Sequence, residues 1–251
     1  MRVEDDVLAV LSRAQTNDRA LVLTERLDRK MYQRTNKVLE AAGGKWDRKA
    51  KAHLFDGDAA ERIDEIILTG SVEVPKAEFG FFPTPSPVVN RLLELAEIQP
   101  GMRVLEPSAG SGAIALAIAC ITPPDCIELM EANYKILAGE PSLGLVRRGD
   151  FLEQPPEPVY DRVVMNPPFA KQADIRHVRH ALGFLKPDGL LVSVMAAGIT
   201  FRDNKLTRDF RELVGDRGSE IEPLPDGAFK DAGTMVRSVI VTIPGAQGDK
   251  R

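Results

Sequence analysis

Two cysteines in 251 residues are too few for a disulfide framework or a four-ligand zinc site. Cys120 falls in an apolar run of helical character, so both Cys120 and Cys126 are expected to be small buried hydrophobes. A third ligand is lacking near His177 and His180, and no metal is expected. No apolar stretch approaches the roughly 20 residues that a membrane-crossing helix requires. The first residues, Met1-Arg2-Val3-Glu4-Asp5-Asp6, are acidic where a secretory leader is basic and then apolar. These absences point to a soluble cytoplasmic protein. The net charge of −4 excludes a chain coated in basic residues, so any contact with nucleic acid has to come from a local patch. Internal repeats are absent as well.

What is present divides into two parts. Residues 1–78 carry short apolar runs between dense mixed charges and no glycine-rich loop, which predicts a small α+β unit. Arg19 to Thr24 suggests a strand, and Leu27 to Ala42 has helical spacing that stops at Gly43-Gly44. Lys45 to Phe55 alternates as a second strand would, and Ala59 to Leu68 forms an amphipathic helix closed by Gly70. Pro75 to Pro87, rich in proline and aromatics, predicts a connector laid over a surface. Residues 79–251 then alternate helix with short apolar strand, the pattern of an α/β, doubly wound, Rossmann-like parallel sheet. Strands are expected at Arg103–Glu106, Ile127–Met130, Leu145–Arg148, Val159–Met165, Leu190–Met195 and Val236–Ile243.

The chemistry sits at the ends of these strands. Val104-Leu105-Glu106-Pro107-Ser108-Ala109-Gly110-Ser111-Gly112 runs from a strand through a glycine turn into a helix, where a ligand can approach the backbone closely. A dinucleotide would use such a turn equally well. Glu131, about 20 residues past the glycines, is placed to accept hydrogen bonds from two ribose hydroxyls, which again suits either cofactor. Asp150-Phe151 adds an acceptor for an adenine amine and an aromatic face, and Glu106 puts negative charge near a cationic amine. A cofactor with an amino-acid tail and a sulfonium matches this set better than one with a pyrophosphate. Met165-Asn166-Pro167-Pro168-Phe169 then follows an apolar strand. An aromatic amine is a poor nucleophile because its lone pair is delocalised into the ring. The Asn166 side-chain carbonyl and the Pro167 backbone carbonyl can each accept one of its N–H bonds and aim the lone pair at a methyl donor. Phe169 can stack on an extruded base, and Pro168 stiffens the turn.

With these residues the segment from about Gly80 to Ile243 resembles the class I S-adenosylmethionine-dependent amino-methyltransferases, the adenine-specific DNA enzymes above all. The resemblance implies S-adenosyl-L-methionine as cofactor and Asn166, Pro167, Pro168 and Phe169 as the catalytic tetrapeptide. It implies cofactor contacts from Glu106, Ser108, Gly110, Gly112, Glu131, Asp150, Phe151 and Asn166. It adds Phe82 and Thr84, within Gly80-Phe81-Phe82-Pro83-Thr84-Pro85, beside the methionine part of the cofactor. Gly227-Ala228-Phe229-Lys230 and Gly233-Thr234, followed by Val236 to Ile243, resemble the β-hairpin that closes the sheet in this family. The family's large target-recognition domain is not evident, nor is a restriction-nuclease motif. A stand-alone enzyme is therefore expected, with nucleic acid as partner and DNA ahead of RNA. The same tetrapeptide also occurs in RNA amino-methyltransferases. Two basic stretches are the candidate polymer contacts. The first holds Arg26, Arg29, Lys30, Arg34, Lys37, Lys45, Arg48, Lys49 and Lys51, with Tyr32, Trp46 and His53 interleaved, and a solvated helix face is the alternative for it. The second, Lys171, Arg176, His177, Arg179 and His180, follows the catalytic loop.

Overall fold

A computed structural model describes residues 1–72 and 82–246. It opens with α1 (Asp5–Arg13), β1 (Gln15–Asn17), β2 (Ala20–Val22), α2 (Arg29–Ala41), β3 (Lys45–Asp47), β4 (Ala52–Leu54) and α3 (Ala59–Thr69). The four strands form an antiparallel sheet in the order β1-β2-β4-β3. Its apolar side is sealed by the helices around Leu8, Leu21, Leu39 and Ile66, all fully buried. Two features depart from the sequence-based expectation. The stretch expected as one strand from Lys45 is a hairpin, because the Asp47 carboxylate accepts the Lys49 and Ala50 N–H groups and turns the chain back. Helix α1 is an addition, weakly marked in the sequence because its apolar residues Val7, Leu8, Val10 and Leu11 span barely two turns.

The second part supplies α4 (Ser86–Ala96), β5 (Val104–Glu106), α5 (Ala113–Ala119), β6 (Asp125–Glu128), α6 (Glu131–Ala138), β7 (Val146–Arg148), β8 (Tyr160–Met165), α7 (Ala173–Ala181), β9 (Leu185–Ala196), α8 (Lys205–Asp216), β10 (Glu220–Pro223) and β11 (Ser238–Pro244). Seven strands pair in the order β10-β11-β9-β8-β5-β6-β7. Strands β5 to β9 are mutually parallel, and β11 runs antiparallel to both β9 and β10. This is the doubly wound sheet with a closing hairpin. The sheet is covered on both faces because its central strands are apolar at successive positions rather than at alternate ones. Val163, Met165, Leu191, Val239 and Val241 face the layer of α7 and α8, while Val164, Val192, Val194 and Ile240 face the α4–α5 layer. Connections leave β5 toward β6 and β7 on one side and toward β8 and β9 on the other. The reversal between β5 and β8 opens a crevice at the carboxyl ends of the strands.

The first unit is seated beside that crevice. Leu68 of α3 is buried with Ala196 and Val236 and packs against Phe169. Its carbonyl accepts the Arg237 N–H at 2.9 Å, and Arg237 pairs with Asp5 at 2.6 Å. Asp64 of α3 accepts the Lys171 N–H at 3.0 Å with one oxygen and pairs with the buried Arg202 at 2.7 Å with the other. The expected unit boundary at residue 78 lies outside the described residues, as do Gly80 and Phe81.

Gly112, which caps α5, sits at φ +92°, and a β-carbon there would lie 2.8 Å from the Leu137 side chain. Gly112→Ala is therefore expected to destabilise the protein by about 1–3 kcal/mol. Thermal unfolding checks this, and an unchanged midpoint would contradict the packing described.

Candidate active site

Strand ends β5, β6, β7 and β8 surround a cavity of about 420 Å³, within the ordinary range of small-molecule sites. Glu128, Leu129 and Met130 line it after β6, and Gly149, Asp150 and Phe151 line it after β7. Asn166, Pro167, Pro168 and Phe169 close it after β8, together with Phe82, His177 and Phe229. Ser108 is shared with a narrow annex formed by Phe82, Thr84, Glu106, Ser111 and Asn166. The structure thus brings together Phe82, Thr84, Glu106, Ser108, Asp150, Phe151 and the tetrapeptide. Gly110 and Gly112 shape the turn beneath them.

Glu131 is not among these residues. It begins α6, stands half exposed, and pairs with Lys135 at 2.8 Å and Arg148 at 3.3 Å. The carboxylate facing the cavity is Glu128, the last residue of β6. The expectation is corrected because β6 starts and ends two residues earlier than its apolar pattern suggests. Its register runs from Leu105 opposite Asp125 to Glu128 opposite Arg148. Leu129 and Met130 have the apolarity of strand residues but are side chains 64% and 51% exposed on the cavity wall. Glu128 accepts the Gly110 N–H at 2.7 Å and the Met130 N–H at 2.6 Å, one on each oxygen. A carboxylate has about four acceptor positions, so two stay available for hydroxyl donors.

Around this wall the polar groups are arranged for an adenosine. Asp150 uses Oδ1 to hold the Leu152 N–H at 2.9 Å, and no partner engages Oδ2 among the described residues. Phe151 is almost fully buried, wedged against His180 and Phe184 at ring separations of 4.8 and 5.2 Å. It is more a core side chain than the open stacking face expected. His177 and His180 each spend one ring nitrogen on a backbone carbonyl, Ala173 at 2.8 Å and Gln154 at 3.0 Å.

At the other end lie two buried acceptors with nothing to accept from, Glu106 Oε2 and Asn166 Oδ1. Leaving such a group unmatched costs about 1–3 kcal/mol. Among the described residues five other buried side-chain atoms, Thr35 Oγ1 and Ser238 Oγ among them, are unmatched as well, and Glu106 and Asn166 are the two that also line the cavity or its annex. Thr84 Oγ accepts the Asn166 Nδ2–H at 3.0 Å, which turns the Asn166 amide so that its oxygen is the unmatched atom. Burial pushes the Glu106 carboxyl well above the usual carboxylate range; a backbone contact from Ala115 opposes the rise and nearby Glu128 adds to it. A cationic amine beside Glu106 would restore its charge. The residues therefore fit S-adenosylmethionine: Glu128 for the ribose, Asp150 for the adenine amine, Leu129 and Met130 for the ring, and Glu106 with Thr84, Ser108 and Ser111 for the amino-acid tail. Glu128, Leu129, Met130, Gly149, His177, Ser111 and Phe229 are among the lining residues that sequence reasoning did not assign to the cofactor or to catalysis. A carboxylate directly after the apolar pair Cys126-Ile127 was the available signal for Glu128.

The loop after β8 is fixed from outside. Lys171 and Gln172 both adopt left-handed backbone, at φ +52° and +56°, a costly conformation for residues with a β-carbon. The Asp64 carboxylate on the Lys171 N–H holds the first of them, and the Arg176 guanidinium donates to the Lys171 carbonyl at 2.9 Å. Arg176 and Arg179 are exposed on α7, and Lys171 is exposed two residues after Phe169.

The raised Glu106 carboxyl gives a pH test. Binding an ammonium favours the ionised form, so binding should release up to about one proton. Affinity for S-adenosylmethionine should accordingly rise with pH until Glu106 of the free protein ionises. Calorimetry in buffers of different ionisation enthalpy measures the release. Glu106→Gln should weaken binding and flatten its pH dependence, and proton release unchanged by that substitution would contradict the assignment.

The family model of the methyltransferase small domain matches residues 89–215. No curated protein sequence matches the chain. Among solved structures, a protein assigned as a class I S-adenosylmethionine-dependent methyltransferase from Listeria monocytogenes is similar at a TM-score of 0.54 and 13% identity, over 76% of this chain and 69% of that one. A chain of a type I restriction–modification system is similar at 0.53 and 20% identity, over 67% of this chain and 42% of that one. A protein assigned as an RNA methyltransferase from Pyrococcus horikoshii is similar at 0.51 and 19% identity, over 71% and 91%. At these identities the likeness concerns the fold.

Proposed function

Because the chain belongs to the family of the methyltransferase small domain and takes S-adenosylmethionine as its cofactor, we propose that it methylates the exocyclic amino group of a nucleobase, adenine in DNA foremost. The observation that carries this reading is the buried, unmatched Asn166 Oδ1 at the cavity wall beside Phe169. An acceptor in that state suits an N–H or O–H donor rather than a carbon acid, and with the Pro167 carbonyl it makes a pair of acceptors that matches the two N–H bonds of an amine. When bound, the cofactor supplies a methyl group on a cationic sulfur, which a nitrogen lone pair takes by in-line displacement of the thioether.

The chain's own residues supply orientation. Asn166 Oδ1 and the Pro167 carbonyl accept the two N–H bonds of the amine, so that its lone pair lies out of the ring plane and toward the annex. Thr84 keeps the amide from rotating. Phe169, which packs like Phe82 against the apolar cluster that contains Phe229, offers with them an aromatic lining for a base taken out of its stack. Neither Asn166 nor the Pro167 carbonyl is a base, so the proton shed by the methylated nitrogen goes to solvent. Rate enhancement on this account comes mostly from holding amine and methyl in line.

Asn166→Ala tests the reading. Transfer to nucleic acid should fall on the order of a hundredfold or more, the loss expected when one orienting hydrogen bond is removed from a buried site. It should fall by more than affinity for S-adenosylmethionine, whose annex Asn166 also lines. Turnover of the variant is compared with that of the parent on duplex DNA, single-stranded DNA and RNA. Near-normal transfer by the variant on each of them would overturn the proposed role.

A further inference from the structure

The charges of the first unit are segregated, and the separation follows its structure. Residues 26–51 hold nine lysines and arginines against three carboxylates. Each of those carboxylates is already engaged by an N–H group: Asp28 by Met31, Glu40 by the Asn36 amide, and Asp47 by Lys49 and Ala50. Among the basic residues Arg34 is tied to Asp6 and Glu4. Lys45, Arg48, Lys49 and Lys51 lie in β3 and the turn of the β3–β4 hairpin, with no ion-pair partner among the described residues, and all four are exposed. The turn is fixed rather than floppy: Asp47 clasps two N–H groups and Lys51 takes a left-handed φ of +50°. Arg48, Lys49 and Lys51 on one rigid turn, with Lys45 at the start of β3, repel one another, so the fold bears a cost there that a polyanion would relieve.

An aromatic platform lies within the same hairpin. Trp46, the chain's single tryptophan, is 51% exposed, although tryptophan is ordinarily well buried. It stands opposite His53 in the hairpin register, and the His53 ring, itself buried, meets it edge-on at 5.1 Å. His53 Nε2 is bound to the Asn36 amide oxygen of α2 at 2.8 Å. The indole is thus braced from behind and open in front. His53, expected from the sequence to be part of the exposed surface, serves as that brace. A braced indole on a hairpin that also carries unpaired cations matches the way single strands are held, with bases on aromatic faces and phosphates on lysine and arginine.

We propose that the β3–β4 hairpin is a docking site for a single-stranded segment of nucleic acid, with an unpaired base stacked on Trp46 and flanking phosphates on Lys45, Arg48, Lys49 and Lys51. This rests on the reading of nucleic acid as the substrate, and it adds the element that grips the polymer outside the cavity. A duplex keeps its bases stacked on each other, so it engages the cations and leaves the indole uncovered. The hairpin belongs to the same unit whose α3 holds the loop after β8 through Asp64, so a strand docked here is carried by the framework that sets the position of Phe169.

Because Trp46 is alone, intrinsic fluorescence reports on it without interference. The full-length protein is titrated with a 5′-labelled single-stranded DNA of about 20 nucleotides, the matching RNA and a blunt duplex. Anisotropy gives binding while tryptophan emission gives stacking. Saturable quenching by the single strands, weakening as salt rises, and a smaller change with the duplex at equal occupancy are expected. Joint replacement of Lys45, Arg48, Lys49 and Lys51 by Ala should make the salt slope shallower by about 0.7 for each phosphate that is no longer neutralised. Trp46→Ala should weaken single-strand binding roughly five- to hundredfold. Circular dichroism and S-adenosylmethionine binding confirm that both variants fold. Single-strand binding without quenching, quenching as strong with the duplex, or an unchanged affinity and slope in the quadruple variant would each overturn the proposal. Asn166→Ala should leave the quenching intact, so failure of docking and failure of methyl transfer are read separately.

Discussion

The carboxylate of Glu128 is the interaction on which the site depends. One oxygen holds the Gly110 N–H and the other the Met130 N–H, which fastens the glycine turn after β5 to the turn after β6. These two turns form adjoining walls of the cavity. With Gly110 pinned, Ser108 is presented to the cavity and Ser111 to the annex, and with Met130 pinned the exposed Leu129-Met130 pair is held as an apolar wall. A buried carboxylate accepting two backbone N–H groups is a strong arrangement because the acceptor is charged and shielded from water. It also keeps acceptor positions for ribose hydroxyls, so one side chain both builds the site and recognises what enters it.

Against this satisfied centre, the unsatisfied atoms acquire meaning. Nearly every buried polar group in a folded chain finds a partner, yet Glu106 Oε2 and Asn166 Oδ1 sit on the lining of one narrow annex without any. Each is what a complete ligand set would satisfy, a cationic amine for the first and an amine N–H for the second. Local consistency between sequence and fold is broken here, where function requires an open valence. The left-handed Lys171 and Gln172 are a second such break. They are maintained by Asp64 and Arg176, contacts that reach the loop after β8 from two different elements.

What could be read from the sequence follows the range of the interactions involved. The place of Asn166 and its prolines at the cavity edge was legible because strand end and turn lie within five consecutive residues. The glycine turn after β5 was legible for the same reason, and so was the doubly wound order of the parallel strands. The sequence points to Glu131 rather than Glu128 because a strand's end is set by its neighbours' register, here by β5 and β7, and apolarity alone does not mark it. Leu129 and Met130 look like strand interior to any hydrophobic pattern, and only burial reveals them as wall. The Asp64 contact to Lys171 joins residues 107 apart in sequence and has no local signature. The hairpin tip was visible as a cluster of cations, whereas the brace behind Trp46 needed the pairing of β3 with β4.

The account's central claim is that this cavity delivers a methyl group to an exocyclic amine of a base. The most direct measurement supplies methyl-labelled S-adenosylmethionine with duplex DNA, single-stranded DNA and RNA in parallel, digests each to nucleosides and identifies the labelled product. The account predicts label on the amino nitrogen of a purine, adenine in DNA before any other. Label on a ring nitrogen, a ring carbon or a sugar hydroxyl, or on none of the three nucleic acids, would contradict it.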